Sequence, residues 1–185
     1  MTAPVEILPA TWNGFEQVMG DKGGCGGCWC MLWRLTKRQM DAGMGARNRA
    51  AMKAIFDAGD PPGLIAWQAN KAVGWIQVAA RREFHRLKSA RVLHPVDDLP
   101  VWSVACFLVE KSARHQGVSV ALLRAGCDFA GDRGATHLEG YPIDPARPKY
   151  PPVYAWTGFL GGFRAAGFTE VARRSPTRPI MRKTL

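Results

Sequence analysis

A polar turn between an apolar strand and a helix holds the residues with the clearest chemistry. Residues 101–109 form the most apolar run of the chain, and apolar residues recur at helical spacing from Val118 onward. Between the two lie Arg114, Gly117 and Ser119. The first backbone N–H groups of a helix lack a partner within it, and the helix dipole is positive there. Because Gly117 and Ser119 are small, the turn is predicted to bind an anion such as a pyrophosphate.

Three of the five cysteines lie close together, at Cys25, Cys28 and Cys30 in a glycine-rich segment. An odd number of cysteines in a chain without a visible signal peptide argues against a disulfide framework. The spacing could supply half of a zinc site, but no second Cys/His cluster follows at the usual distance. We therefore expect free thiols and no metal, with a zinc-dependent module as the alternative.

The elements that must position these residues alternate between strand and helix patterns. Strands are predicted over residues 5–8, 64–68, 72–78, 101–109, 136–141, 169–174 and 180–182. Helices are predicted over residues 11–19, 37–58, 118–131 and 153–166. This order predicts one mixed α/β domain built around an antiparallel sheet, with one strand–helix–strand unit in its second half. The apolar strand over residues 101–109 should be central.

Composition excludes several classes of protein. Of the 185 residues, 47% are hydrophobic and 22% are charged, which is not the composition of a collagen-like, coiled-coil or disordered chain. No apolar run approaches the about 20 residues that span a bilayer, and the N-terminus lacks a signal-peptide pattern, so we expect a cytoplasmic protein without a membrane partner.

The charge balance is basic, with 25 Lys and Arg against 15 Asp and Glu, which gives a net charge of +10. Such a charge attracts polyanions, including nucleic acid and phosphorylated cofactors. The basic residues form no single stripe, so no specific nucleic-acid partner is expected.

The strand, turn and helix together resemble the acyl-CoA-binding motif of the GNAT superfamily of N-acetyltransferases, in which Arg/Gln-x-x-Gly-x-Gly/Ala follows a strand ending in valine. Val109, Arg114, Gly117 and Ser119 take these positions. Two departures are Lys111, where the family often has proline, and the serine at the last position. A Gly-Trp pair at residues 74–75 and a Gly-Phe pair at residues 167–168 also agree with the family. Residues 28–34, Cys-Trp-Cys-Met-x-Trp-Arg, resemble a segment of one bacterial subgroup.

This resemblance implies a GNAT-like fold, a mixed and mostly antiparallel twisted sheet whose central strands splay apart, with flanking helices. The single domain, residues 1–185, would contain an acyl-CoA-binding core over residues 64–174. Residues 1–60 would supply the helices and loop on the substrate side. Acetyl-CoA would lie between the splayed strands as the acyl donor. The implied contacts are the backbone of Phe107, Leu108 and Val109 with pantetheine, and Arg114, His115, Gln116, Gly117, Val118 and Ser119 with the pyrophosphate.

The resemblance also implies an N-acetyltransferase that lets a primary amine, on a small molecule or a peptide, attack the thioester directly. The tyrosine that often protonates the leaving thiolate is replaced here by Phe163. Tyr154, on the same predicted helix, is the substitute candidate, and Tyr141 is the second. Glu139 is the candidate base, because a carboxylate beside the cofactor should be partly desolvated; the alternative is a carboxylate paired with an arginine.

Two other functions stay open at this point. A catalytically degenerate acyl-CoA-binding protein is indicated by Phe163, and a basic nucleic-acid-binding module is indicated by the charge. Trp29, Trp33 and Trp67 are candidate walls of an acceptor pocket, and seven tryptophans hint at an aromatic or apolar acceptor. A homodimer is compatible with the sequence.

Overall fold

Seven strands form a single sheet within residues 4–145, 150–151 and 154–185, which the computed structural model describes. The strands are β1 (Val5–Pro9), β2 (Gly63–Gln68), β3 (Lys71–Ala80), β4 (Trp102–Val109), β5 (His137–Gly140), β6 (Thr169–Arg173) and β7 (Pro179–Thr184). They lie in the order β1-β2-β3-β4-β5-β7-β6, and each neighbouring pair is antiparallel except β4 and β5, which are parallel. The predicted mixed, mostly antiparallel sheet is confirmed, with the apolar strand β4 at its centre.

Helices cover both faces of this sheet. They are α1 (Trp12–Met19), α2 (Lys37–Gly43), α3 (Ala46–Asp57), α4 (His85–Lys88), α5 (Val118–Gly131) and α6 (Leu160–Ala165). Successive residues of a strand point to opposite faces, so Ile76 packs with α5 and α6 while Trp75 packs with α1 and α3. In the part of the chain that the structure describes, no helix is long and apolar enough to cross a bilayer.

Local signals account for where the first helices begin and break. The Thr11 hydroxyl accepts a backbone hydrogen bond at the start of α1, and Thr36 forms a capping box with Gln39 at the start of α2. The single helix predicted over residues 37–58 is wrong, since the chain forms α2 and α3 instead. Gly45 separates them with φ 84, a left-handed value that glycine adopts without strain.

The helix predicted over residues 153–166 is also shorter in the structure. It begins only at Leu160, because Gly158 has φ 83 and Phe159 is extended and bridges to Ile143. Tyr154 therefore precedes α6 and does not lie on it. Val153, where the predicted helix begins, and much of the loop predicted over residues 144–152 lie outside the described residues.

The two central parallel strands stay together for only a short distance. Their paired residues are Trp102 with Leu138, Ser103 with Glu139, and Val104 with Gly140. Beyond this point β4 continues to Val109, while β5 ends. Ala105 has no partner on β3, so β4 carries a bulge there, and a bulge bends a strand. The sheet consequently opens at its centre on the carboxyl side of the paired residues.

Candidate active site

A cavity of about 790 Å³ lies where β4 and β5 separate. One part of it, the α5 half, borders β4, the following turn and the N-terminus of α5. The other part, the sulfur-rich half, is lined by Met19, Gly24, Cys25, Cys28, Cys30, Leu32, Trp33, Met40, Asp41, Met44 and Cys106. The nine residues predicted from the acyl-CoA motif all line the α5 half except Gln116. The Gln116 side-chain amide donates instead to the Ser112 carbonyl at 2.7 Å.

The N-terminus of α5 presents unpaired backbone donors to the α5 half. Gly117 caps the helix in a left-handed conformation with φ 78, and no described side chain caps it. The first helical bond runs from the Ala121 amide to the Gly117 carbonyl at 3.0 Å, so the N–H groups of residues 118–120 have no acceptor within the helix. A Cβ added at Gly117 would meet no atom within 4 Å. The donors are therefore open to an anion.

Two nearby side chains strengthen this anion site. Arg114 and His115 are both exposed and line the cavity beside the helix N-terminus. His115 holds φ 60, which is uncommon for a residue other than glycine and turns the chain sharply into α5. The turn thus gathers a fixed cation, an imidazole and unpaired amides at one end of the cavity.

The free edge of β4 offers hydrogen-bonding groups on alternate residues. The Glu110 amide donates to the Val73 carbonyl of β3 at 2.8 Å, which sets which groups face β3. By the alternation of an antiparallel pair, Leu108 also turns its backbone groups toward β3, while Phe107 and Val109 turn theirs to the open side. An extended ligand in the opening could therefore pair with Phe107 and Val109 but not with the backbone of Leu108, whose side chain lines the cavity.

Part of that open edge already has protein partners. The Phe107 amide donates to the Trp156 carbonyl at 2.5 Å, and the Val109 carbonyl accepts from Arg114 Nε at 3.1 Å. The Phe107 carbonyl and the Val109 amide are the remaining outward groups of these two residues. Sequence reasoning did not identify Trp156, because nothing local to residue 156 shows that its carbonyl reaches β4.

Glu139, the predicted base, lies in a buried ion cluster. Its side chain is 1% exposed and accepts from Arg81 at 2.6 Å and from Arg182 at 2.7 Å. Arg182 also pairs with Asp97 at 2.7 Å, and its hydrogen bond lowers the pKa of that carboxyl below the usual range. Glu139 does not line the cavity. The arrangement matches the alternative weighed for this residue, a carboxylate paired with arginine.

Tyr141 belongs to the same cluster. Its hydroxyl contacts Ser103 Oγ at 2.8 Å, donates to Glu139 at 3.1 Å and accepts from Arg81 at 2.5 Å. Burial, together with the Glu139 carboxylate, raises the pKa of the Tyr141 phenol far above its ordinary value. A phenol with these partners outside the cavity is placed to hold β5 in register.

Neither Tyr154 nor Phe163 supplies a phenol to the cavity. The Tyr154 side chain is 54% exposed and does not line the cavity. Phe163 lines it but is 0% exposed to solvent, and its ring packs 6.0 Å from that of Phe107. The sequence has three tyrosines, and the described cavity lining includes none of them.

The sulfur-rich half brings together residues from distant parts of the chain. Cys30 Sγ lies 2.9 Å from Cys106 Sγ, and Trp75 Nε1 donates to Cys30 Sγ at 3.2 Å. Burial raises the pKa of the Cys28 thiol to about 11, and the hydrogen bond to Cys30 together with burial raises the pKa of the Cys106 thiol well above its ordinary value. Both thiols are therefore neutral near pH 7. Within the described residues, no group of three or more His, Cys, Asp or Glu is arranged to hold a metal ion.

Of the tryptophans predicted as walls of the acceptor pocket, Trp33 lines the cavity. Trp29 stacks on Trp12 with ring centroids 6.1 Å apart, and Trp67 packs against the same cluster of buried residues. Sequence reasoning missed Met40 and Met44. In the single helix predicted over residues 37–58, their spacing of four residues would have placed both side chains on one face, and this is the signal that could have found them. In the structure Met44 lies just after the end of α2.

The sequence matches a known protein family over more than half of the chain. A model of the acetyltransferase (GNAT) family matches residues 29–148. No curated protein matches the sequence.

Solved structures with a similar fold include the PaiA N-acetyltransferase from Thermoplasma acidophilum in complex with coenzyme A, at 10% identity and TM-score 0.56, with 98% of this chain and 99% of that chain covered. A structure described as that of a putative acetyltransferase of the GNAT family from Desulfovibrio desulfuricans has 14% identity and TM-score 0.57, with 98% of this chain and 99% of that chain covered. An agmatine N-acetyltransferase variant in its apo form has 10% identity and TM-score 0.60, again over 98% and 99% of the two chains. At these identities the likeness establishes the fold.

Proposed function

Because the chain belongs to the acetyltransferase (GNAT) family, we propose that it transfers the acetyl group of acetyl-CoA to a primary amine of a small molecule or peptide by direct attack. One observation carries the proposal. The unpaired amides at the start of α5 and the open edge of β4 border the same cavity. Coenzyme A in the Thermoplasma neighbour supports this ligand for the fold.

The residues present fit the chemistry of this acyl donor. The amides of residues 118–120 and the Arg114 guanidinium would hold the pyrophosphate, since both supply positive charge to an anion. The Val109 amide and the Phe107 carbonyl would pair with the amides of the pantetheine arm. The net charge of +10 would assist capture of the phosphorylated donor.

Acetyl-CoA, when bound, supplies an activated thioester. As the amine nitrogen bonds to the acetyl carbon and the C–S bond breaks, one proton must leave the nitrogen and one must reach the departing sulfur. The described cavity lining holds no tyrosine to donate that proton, and its one carboxylate, Asp41, lies in the sulfur-rich half. We therefore propose that the protein acts mainly by orienting the two substrates and by excluding water from the sulfur-rich half. The buried walls there, including Cys30, Met40 and Cys106, support that exclusion.

The subgroup, the cellular location and the enzymatic character of the protein belong to the same proposal. The sequence of residues 28–34 supports membership of the bacterial subgroup that carries this segment, which here supplies Cys28, Cys30, Leu32 and Trp33 to the cavity. All five cysteines are free, which is typical of a reducing compartment and supports a cytoplasmic location. The family match favours an enzyme over a nucleic-acid-binding module or an inactive acyl-CoA-binding protein.

Thermal unfolding with and without acetyl-CoA tests the proposal. At 100 times its dissociation constant the donor should stabilise the folded protein by about 2.7 kcal/mol, which gives a clear rise in melting temperature. Gly117→Glu should abolish that rise, because the new carboxylate would occupy the anion site and repel the pyrophosphate of the donor.

Gly134→Glu is the matched control for this variant. Gly134 also has a left-handed φ, +80, and a Cβ there would also meet no atom within 4 Å. The two variants therefore share the backbone strain but not the position at the start of α5. A wild-type protein whose melting temperature does not move in saturating acetyl-CoA would overturn the proposal, as would an unimpaired response in Gly117→Glu. Thiol release across a panel of amines then separates an enzyme from a protein that only binds the donor.

A further inference from the structure

The sulfur-rich half of the cavity has a composition that selects among amines. Seven of its lining residues carry sulfur, namely Met19, Cys25, Cys28, Cys30, Met40, Met44 and Cys106. Leu32 and Trp33 add an aliphatic and an aromatic wall. Thioether and thiol sulfurs are polarisable and make favourable contacts with aromatic rings. The surface is thus suited to an apolar or aromatic body rather than to a polar one.

Two thiols in this half, those of Cys28 and Cys106, carry no charge near pH 7. Burial raises the pKa of the Cys28 thiol, and the hydrogen bond to Cys30 together with burial raises the pKa of the Cys106 thiol, so both stay protonated there. The Cys30 sulfur already has three neighbours, the Cys106 thiol, the Trp75 indole N–H and the Met19 sulfur. The Cys28 and Cys106 thiols therefore present neutral groups to the cavity, and the contacts of the Cys30 sulfur are made within the protein.

Charge is distributed unevenly along the cavity. The cationic side chain Arg114 and the imidazole of His115 belong to the α5 half. In the sulfur-rich half, the only charged side chain of the described lining is Asp41, which is paired with Lys37 at the surface. Arg34, although next to Trp33 in the chain, does not line the cavity and bonds Glu83 at 2.7 Å.

This distribution disfavours acceptors that carry further charges. A carboxylate on the acceptor would enter a region whose described lining supplies no cation, and an unpaired buried charge is costly. A second ammonium group would find only the exposed carboxylate of Asp41, which Lys37 already neutralises in part.

Building on the proposed function, we infer that the acceptor is a primary amine on an apolar or aromatic body that lacks a carboxylate and a second cationic group. The sulfur-rich half binds that body, and the amine nitrogen points toward the opening between β4 and β5. Met40, Met44, Leu32 and Trp33 then determine specificity.

Initial-rate kinetics with acetyl-CoA and three amines test the inference. 2-Phenylethylamine represents the inferred class, phenylalanine adds a carboxylate to the same body, and spermidine adds further cations. We expect kcat/KM for 2-phenylethylamine to exceed both others by about 100-fold or more, since a site that cannot pair a buried charge rejects it strongly.

Equal or better use of phenylalanine or spermidine would overturn the inference while leaving the acetyltransferase activity in place. Failure to acetylate any of the three, in a protein that acetyl-CoA stabilises, would also overturn it. Loss of the acetyl-CoA stabilisation itself would instead overturn the proposed function, so the two failures are distinguishable.

A substitution at the cavity mouth gives a second test. Met44 lines the sulfur-rich half and is 46% exposed, so the fold should tolerate a change there. Met44→Lys introduces a cation, and we expect it to lower kcat/KM for 2-phenylethylamine about tenfold. The ratio of kcat/KM for 2-phenylethylamine to kcat/KM for phenylalanine should fall as well. Leu8→Lys is the matched control, because it introduces the same cation at a position that is 42% exposed and outside the lining of this cavity, so it should behave like the wild type. KM for acetyl-CoA should not change in either variant. Unchanged discrimination in Met44→Lys would contradict the inferred location of the acceptor.

Discussion

At position 163, a phenylalanine stands where this family often has a tyrosine. Its buried ring packs beside Phe107 and against Gly140, where an added Cβ would lie 1.9 Å from a ring atom. The residue thus fills the space between α6 and the end of β5. Catalysis must then proceed without a phenol at this place, and the other tyrosines do not replace it within the described cavity lining.

Tyr154→Phe tests that conclusion for the nearest alternative donor. Because Tyr154 is largely exposed and outside the cavity lining, we expect kcat to fall by no more than about threefold, whereas loss of a general acid costs about 100-fold or more. Tyr150→Phe, in the same loop, is the matched control, and steady-state kinetics measure both. A fall of about 100-fold confined to Tyr154→Phe would assign the proton donor to Tyr154.

Among the elements, β5 depends on charged partners for its place beside β7. Glu139 on β5 pairs with Arg182 on β7 and with Arg81 in the turn after β3, and this carboxylate is almost fully buried. Removing one partner of a buried ion group leaves the others uncompensated. The cluster therefore fixes the strand that forms one wall of the central opening.

Glu139→Gln should lower the free energy of unfolding by about 3 kcal/mol, measured by urea denaturation, because two largely buried arginines lose their buried carboxylate. Glu170→Gln removes a carboxylate that is also paired with an arginine, Arg173, but is more exposed, so a loss of about 0–1 kcal/mol is expected. Measured well below the melting temperature, kcat of Glu139→Gln should stay within about threefold of the wild type. A fall of about 100-fold there would make Glu139 the general base after all.

For the molecule as a whole, buried thiols and a buried phenol, which are uncharged in the folded state, make the free energy of unfolding fall at alkaline pH. The pKa of Cys28 is raised from 9.0 to about 11, and those of Tyr141, Cys106 and Cys127 are also raised by burial or by buried neighbours. In the unfolded chain, these groups ionise at their ordinary pKa values. Above about pH 9 the unfolded state thus releases protons that the folded state retains.

The contribution of these groups to the free energy of unfolding should accordingly be constant below pH 9. The free energy of unfolding should then fall as pH rises from 9 to 11. Urea denaturation at a series of pH values measures the slope. Cys28→Ala should make the decline shallower, because it removes one of the contributing thiols. Ser89→Ala, which removes a non-titrating side chain at an exposed position, should leave the decline unchanged. A decline of equal steepness in Cys28→Ala would show that this thiol is not protected in the folded state.

Local pattern was sufficient to predict most of the elements. The apolar run of β4, the helical spacing of α5 and the caps at Thr11 and Thr36 are short-range signals, and the structure has these elements close to the predicted bounds. The turn with Gly117 was likewise identified from adjacent residues. Helix length was predicted less well where glycines intervene, as at Gly45, because the backbone conformation of glycine is not fixed by its neighbours.

The partners of the candidate catalytic residues could not be predicted in this way. Glu139 pairs with arginines 58 and 43 residues away, and Cys30 meets Cys106 across 76 residues. No periodicity within a strand or helix encodes such contacts, since they depend on how the elements pack. The sequence alone therefore located the polar turn with Gly117 between a central strand and a helix. Packing decided that Glu139 and Tyr141 lie in a buried ion cluster, and that sulfur atoms rather than charges line the other half of the cavity.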